Sequence, residues 1–416
     1  MPRCSLYLHI PYCHSKCPYC DFNSHAAARW PEQAYVDALI AELNHYAALP
    51  EWRGTIETIF FGGGTPSLFA PESIATVLRA IGQLWPEDSR QRAVGSRQSD
   101  PAAYCPLPTA DSDPTADRLL PTVYSAEVTL EANPGTITLD KLRGFRDAGI
   151  NRISFGVQSF QPRHLATLGR IHSGDEAITA IELAGRAGFD NLNLDLIFAV
   201  PGQTLDEWES DLRTAMTLSP DHISAYNLTF EEGTAFHAMR AKGQLAQAPE
   251  EIEVAMFTRT REVLDAAGYR PYEISNFARA GRECRHNVNY WRGGTYLGVG
   301  AGAHSFAETP KPGRRWSNEK SPTLYIERVA QRGHARVSEE TLARSQARGE
   351  FVFLNLRLRS GFRESDFATR FGVEFLSAFP HAAQLHADGL LQAHDGSWHL
   401  SDRGLMLADS VFATFL

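Results

Sequence analysis

Short apolar runs and longer amphipathic stretches alternate through the first half of the chain. The runs at 5–10, 55–61, 127–132, 152–157, 191–199 and 221–228 are rich in Leu, Ile, Val, Phe and Tyr. Their length and near-continuous apolar character predict strands of a parallel sheet covered on both faces. Between them, residues 33–48, 71–84, 139–148, 174–187 and 205–218 are amphipathic and read as helices. Gly149 and Gly188 follow two of these stretches, where a glycine suits a helix C-cap. Alternating strand and helix predicts an α/β fold on a parallel sheet. Six such units predict a partial (β/α)6, TIM-like barrel rather than the complete eight-unit form.

Other segments break the alternation. Residues 86–124 are rich in Pro, Ser, Asp, Arg and Ala and lack periodicity, which predicts a mobile surface insertion; Cys105 falls inside it as a bystander. Residues 233–249 read as a polar connection and 250–267 as a long helix. Residues 269–306 are rich in glycine and aromatics. Near the end, 390–392 and 398–400 flank Asp395-Gly396 and predict a hairpin, followed by a helix at 401–412. Helices followed by a hairpin predict a C-terminal α+β module of winged-helix type. The expected organisation is a barrel at 1–235, a connecting region at 236–335 and the winged-helix-like module at 336–416.

Composition narrows the function classes. The 416 residues are 43% hydrophobic and 21% charged, as in an ordinary soluble globular protein. The net charge of −9 gives no electrostatic support to nucleic-acid binding, and the C-terminal module lacks an arginine-rich helix. No apolar run is long enough to span a bilayer. The N-terminus has no small-residue cleavage site and leads straight into a cysteine-rich loop, so no signal peptide is expected. Clustered thiols argue for a reducing compartment, and the expected location is cytoplasmic.

That loop carries the strongest chemistry. Cys13, Cys17 and Cys20 stand at C-x3-C-x2-C spacing directly after the first apolar run. Pro11 and Pro18 keep a helix from forming through them. Three thiolates are one short of a closed tetrahedral zinc site, but they suit a [4Fe–4S] cluster with one iron left open. Two alternatives stand beside that: three unrelated reduced cysteines, or a zinc site completed by Cys4, His9 or His14. Further polar groups stand in or just after the later strands. Residues 62–67 read Gly-Gly-Gly-Thr-Pro-Ser, a backbone able to approach a ligand closely. Glu131 and Asp195 lie in apolar strands, where a carboxylate needs a partner. Ser154 and Gln158 lie on the fourth strand and Arg170 beyond it. Each is as readily structural as functional by itself.

The cysteine motif, with aromatic Tyr19 before its last cysteine, resembles the radical S-adenosylmethionine (SAM) superfamily. The wider string Leu6-Tyr7-Leu8-His9-Ile10-Pro11-Tyr12-Cys13 is similar to the subgroup of anaerobic coproporphyrinogen dehydrogenase and its heme-chaperone relatives. The resemblance implies a (β/α)6 core, a [4Fe–4S] cluster on Cys13, Cys17 and Cys20, and SAM on the open iron. It implies that Tyr7, Gly63 and Glu131 contact that SAM. It further implies that Tyr19, Gly64, Thr65, Gln158, Arg170 and Asp195 hold a second SAM. The chemistry implied is reductive cleavage of SAM to methionine and a 5′-deoxyadenosyl radical.

Two features separate the relatives. The dehydrogenase has a fourth cysteine two residues after the third; here Phe22 stands there, and the stretch before the motif is short. His286-Asn287-Val288-Asn289-Tyr290-Trp291 resembles the H-N-x-x-Y-W motif tied to heme binding in the chaperone branch. A neutral imidazole is a standard heme ligand, the aromatics offer flat apolar surface, and Arg285 or Arg292 could meet a propionate. The alternative is a hydrogen-bonded structural histidine among core aromatics; Cys284 is a second candidate ligand, and His304 is placed near the SAM adenine. The resemblance therefore implies a heme chaperone. It would bind heme through His286 and deliver it to a membrane-associated respiratory hemoprotein, with a homodimer among its forms. The rivals are the oxidative decarboxylase of coproporphyrinogen III and a radical SAM enzyme on another substrate.

Overall fold

A computed structural model describes residues 3–86 and 125–416. The predicted insertion, apart from Pro86, and Cys105 lie outside the described residues.

Six parallel strands form the centre of the sheet in sequence order: β1 (Arg3–Ile10), β2 (Thr55–Gly63), β3 (Glu127–Ala132), β4 (Arg152–Gln158), β5 (Leu192–Phe198) and β6 (His222–Asn227). The helices α1 (Glu32–Ala47), α2 (Pro71–Leu84), α3 (Leu139–Ala148), α4 (Gly174–Arg186) and α5 (Leu205–Thr217) follow the first five strands in turn. Local chemistry fixes their ends. Ser173 and Thr204 each form a capping box with a glutamate at the third helical position. Gly149, at φ 110°, terminates α3 in the left-handed region that a side chain would oppose. The chain is a partial (β/α)6 barrel, as the alternation predicts.

The strands differ from the expectation of apolar runs buried alike on both faces. Their side chains alternate with a period of two. Leu6, Leu8, Ile59, Phe61, Val128 and Leu130 point to the helices and are fully buried. The intervening residues turn inward and are largely polar: Tyr7, Glu131, Arg152, Ser154, Asn193 and Asp195 all line an interior cavity. The barrel has an oily outside and a polar lumen.

The sheet continues past both edges. After the helix α6 (Glu250–Ala266), β7 (Arg270–Pro271) and β8 (Asn276–Ala278) extend it beyond β6. On the other edge β9 (Tyr296–Val299) pairs parallel with β1, followed by antiparallel β10 (His304–Ala307), β11 (Arg314–Asn318) and β12 (Arg336–Thr341). Five of the twelve strands thus come from residues 236–335. They are two to five residues long, too short to stand out as a periodic pattern. Glu42 on α1 ties this extension down. Its fully buried carboxylate accepts from Gly300 N (3.0 Å), Asn318 Nδ2 (2.9 Å), Tyr325 OH (2.8 Å) and Ala335 N (3.4 Å).

A second apolar core, around Phe351, Phe367, Phe375 and Trp398, organises the winged-helix-like C-terminal module. Its three-stranded sheet joins Phe362–Arg363 to the hairpin Leu391–His394 and Ser397–Leu400. Asp395 and Gly396 turn that hairpin at φ 47° and 72°, the positive values a two-residue turn requires. The helix expected at 401–412 is instead two, Asp402–Met406 and Ala408–Ala413. Leu407 leaves helical geometry at φ −115° and ψ 24°, and beyond that bend Ala408, Val411 and Phe412 join the module's core.

Candidate functional site

The cysteine loop is closed by a two-residue parallel pairing of Tyr12–Cys13 with His25–Ala26, and Cys20 N donates to Cys17 O. It is fastened to the glycine run: Gly64 N donates to Ile10 O and Thr65 N to Tyr12 O. Each thiol has a polar neighbour. Thr65 Oγ1 donates to Cys13 Sγ (3.4 Å) and Arg170 Nη1 to Cys17 Sγ (3.6 Å), while Ser24 Oγ lies 3.6 Å from Cys20 Sγ. Burial pushes the Cys13 thiol up from its ordinary pKa, with the Thr65 hydroxyl opposing it. Such donors stabilise thiolate charge and tune a metal centre.

Gly63, at φ 116°, closes β2 beside Glu131, whose Oε2 accepts its N–H at 3.1 Å. A Cβ there would stand 2.5 Å from His9 Cε1, and one on Gly64 would stand 2.7 Å from Tyr12 O. Only a bare backbone fits between these groups. Glu131 keeps a partial opening to the cavity but lies deep in the lumen. Burial, then the nearby Asp195, pushes its carboxyl up to about 8. Asp195 finds the partners its position demands in Ser154 Oγ (2.9 Å) and Asn193 Nδ2 (2.8 Å). Gln158 sits at a register shift in β4 with φ 71°, a left-handed conformation held at the rim of the lumen.

The three cysteines, Tyr7, Tyr19, Gly63, Gly64, Thr65, Glu131, Gln158, Arg170, Asp195 and His286 line one cavity of about 570 Å³, which opens at the C-terminal ends of the strands, whereas Trp291 and His304 line another and Cys284, Arg285 and Arg292 line neither. Sequence reasoning missed part of the first cavity's wall. Arg152 is almost fully buried, with its Nε unpartnered, and His222 donates from Nδ1 to Asn193 Oδ1 (2.6 Å) while its Nε2 meets Tyr272 OH (2.9 Å). The signal for both was the period-two alternation, read instead as a continuous apolar run. Among the described residues no three His, Cys, Asp or Glu side chains converge on a single metal ion. His9 is moreover committed to Tyr7 OH (3.0 Å) and Asn23 O (2.8 Å). Three thiols with polar donors suit the soft ligation of an iron–sulfur cluster, and the glycine cradle with unpaired Arg170 Nε fits a polar ligand beside it.

His286 lies at the floor of the lumen. Glu127 accepts from the N–H groups of Arg285 and His286, both at 3.1 Å, and so caps α7 (Arg285–Trp291) beneath the barrel. His286 is buried, stacked on Phe60 at 5.0 Å. Its Nδ1 meets Thr58 Oγ1 (2.7 Å) and its Nε2 meets Tyr290 OH (2.8 Å). Burial pushes its pKa down to about 3, so the ring is neutral. Both nitrogens are engaged. The Cys284 thiol is likewise buried and directed at Glu127, with its pKa raised to about 12 by burial. Neither offers a free donor in this arrangement.

A second cavity, of about 580 Å³, lies between the sheet extension and the C-terminal module. Tyr7, Asp21, Phe22 and Tyr290 line both cavities and form a common wall. Phe22 is 65% exposed.

A thiolate trio on the loop after β1, a glycine cradle after β2 and a polar lumen at the strand ends define a SAM-dependent iron–sulfur barrel. The sequence profile described as the radical SAM superfamily matches residues 7–215, and that of the HemN C-terminal domain matches 342–407. Proteins named heme chaperone HemW are 33% identical in Bacillus subtilis, over 99% of both chains, and 36% identical in Haemophilus influenzae, over 100% of this chain and 98% of that one. The solved structure of coproporphyrinogen III oxidase (HemN) from Escherichia coli superposes with a TM-score of 0.78, covering 100% of this chain and 90% of that one at 23% identity, a likeness of fold. The chain belongs to the radical SAM superfamily and, within it, to the family of HemW. Membership brings a [4Fe–4S] cluster and SAM as cofactors, which the donor set fits.

Proposed function

We propose that this chain is a heme chaperone: it binds heme and hands it to an acceptor hemoprotein, with the cluster and SAM assisting. The full-length identity to proteins named for that role carries the reading. It is supported by Phe22, which fills the position of a fourth cysteine in the dehydrogenase branch, and by an aromatic-lined cavity sharing a wall with the cluster cavity. The acceptor on this reading is a membrane-associated respiratory hemoprotein, approached from the cytoplasm, and a homodimer is one working form. Among the described residues no helix is long and apolar enough to cross a membrane.

Within the site, Cys13, Cys17 and Cys20 would hold the cluster, which when bound would supply reducing chemistry to SAM. Tyr7, Gly63 and Glu131 orient that SAM; Tyr19, Gly64, Thr65, Gln158, Arg170 and Asp195 hold a second one. Glu131, neutral near pH 7, can donate as well as accept a hydrogen bond there. His286 orients Tyr290 in the shared wall. The deciding assay incubates the reconstituted chain with coproporphyrinogen III, SAM and reductant, and separately with hemin. Hemin binding without conversion is expected; conversion to protoporphyrinogen would overturn the reading.

A further inference from the structure

The second cavity combines an uncommitted imidazole and an uncommitted cation with a flat aromatic lining. Two histidines line it. His9 has both nitrogens engaged, whereas His304, on β10, is exposed and makes no side-chain hydrogen bond among the described residues. Partial desolvation within the cavity mouth, then the charges of Lys320 and Arg315, push the His304 pKa down, which favours the neutral ring that can coordinate. The cavity's phenols compete poorly. Tyr7 OH and Tyr290 OH are held by His9 and His286, and burial pushes the Tyr296 phenol up to about 12. Lys320 has no ion pair among the described residues, while Arg315 is held by Glu340 and Glu350, and Arg370 pairs with Glu308. Flat apolar surface comes from Phe22, Trp291, Phe306, Phe351 and Phe353. The volume of about 580 Å³ is that of a small-molecule site rather than a packing gap.

We propose that heme seats in this second cavity, between the sheet extension and the C-terminal module, with His304 as axial ligand to iron and Lys320 meeting a propionate. The proposal rests on the heme-chaperone reading. It reassigns the ligand while keeping the H-N-x-x-Y-W motif in the site: Tyr290 and Trp291 supply wall, and His286 fixes Tyr290 from below. The chemistry is that of a histidine-ligated iron in an aromatic slot, its side-arm charge met by an ammonium at the rim.

The test titrates hemin, and in parallel metal-free protoporphyrin IX, into the full cluster-loaded chain, following the Soret band and its resonance Raman spectrum. His304→Ala is expected to shift the Soret band, abolish the histidine–iron signature and weaken hemin roughly tenfold, a loss that added imidazole restores. The same variant should leave metal-free porphyrin affinity within about twofold, because only the iron has lost a partner. Lys320→Glu should weaken both porphyrins. An unchanged hemin spectrum in His304→Ala would overturn the proposed seat, as would loss of the histidine–iron signature in His286→Gln with His304 intact. Absence of hemin binding by the unmodified chain would instead sink the chaperone reading itself, so the two failures are distinct.

Discussion

His286 Nδ1 and Thr58 Oγ1 lie 2.7 Å apart beneath the barrel, and Thr58 Oγ1 in turn donates to Ser5 Oγ at 2.7 Å. With Tyr290 on the other ring nitrogen, the imidazole pins α7 to the floor of β1 and β2. His286→Ala is therefore expected to destabilise the fold by about 2–4 kcal/mol, from a lost buried ring and unpaired hydroxyls. The acid response gives a second readout. The folded pKa of about 3 lies below the unfolded value, so the unfolded chain binds the proton more readily between about 6.5 and 3. This residue's contribution is present above pH 6.5 and is lost as pH falls through that window. Urea unfolding at pH 7.5 and 5 should show a smaller acid loss in His286→Gln than in the unmodified chain.

Gly63→Ala should abolish SAM binding. Its φ of 116° and a Cβ only 2.5 Å from the His9 ring force the cradle apart. Gly188→Ala is the control: its φ is 90°, but nothing lies within 4 Å, so it should cost only about 1–2 kcal/mol of backbone strain and leave SAM binding intact. Equilibrium binding of SAM to the reconstituted chain measures both. Equal binding in the two variants would refute the cradle.

Anaerobic reconstitution should yield about four irons per chain and a broad iron–sulfur absorption. Cys17→Ser should remove most of both, since a serine hydroxyl is a poor substitute for a soft thiolate. Arg170→Met leaves the three thiols but removes the donor to Cys17 Sγ, so the cluster should assemble with a more negative reduction potential. Voltammetry of the two variants tells ligand from tuning group.

Glu42→Ala should cost about 3–5 kcal/mol, because buried donors from α1's neighbours lose their common acceptor. Burial pushes the Glu42 carboxyl up to about 7, above its unfolded value of 4.5. The folded chain thus holds the proton more tightly between those values. The residue's titration favours the fold below pH 4.5, and that advantage is lost as pH rises through 7. Thermal melts at pH 6 and 8 should differ less in Glu42→Gln than in the unmodified chain.

Much of this architecture was legible. The alternation of apolar and amphipathic segments located all six central strands and the helices between them. Asp395-Gly396 announced its hairpin because that turn demands two positive φ values, which few residues supply. The cysteine spacing and Gly62–Gly64 marked their loops because ligation and close backbone approach restrict the residues that fit. What stayed hidden depends on long-range packing. Nothing local to β9 or β10 says that they extend the sheet past β1. Nothing local to His286 says that Thr58, 228 residues away, will occupy its nitrogen. His304 was placed near an adenine from its neighbourhood in sequence, and only the folded sheet turns it toward the second cavity.

Tyr7, Asp21, Phe22 and Tyr290 give two chambers a single partition. Occupants on its two sides are then subject to reciprocity: whatever free energy SAM adds to retention of porphyrin, porphyrin adds to retention of SAM. In a carrier built this way, cofactor turnover can act as the release signal. A shared wall of this kind would let the occupant of one chamber bias the other without a domain movement.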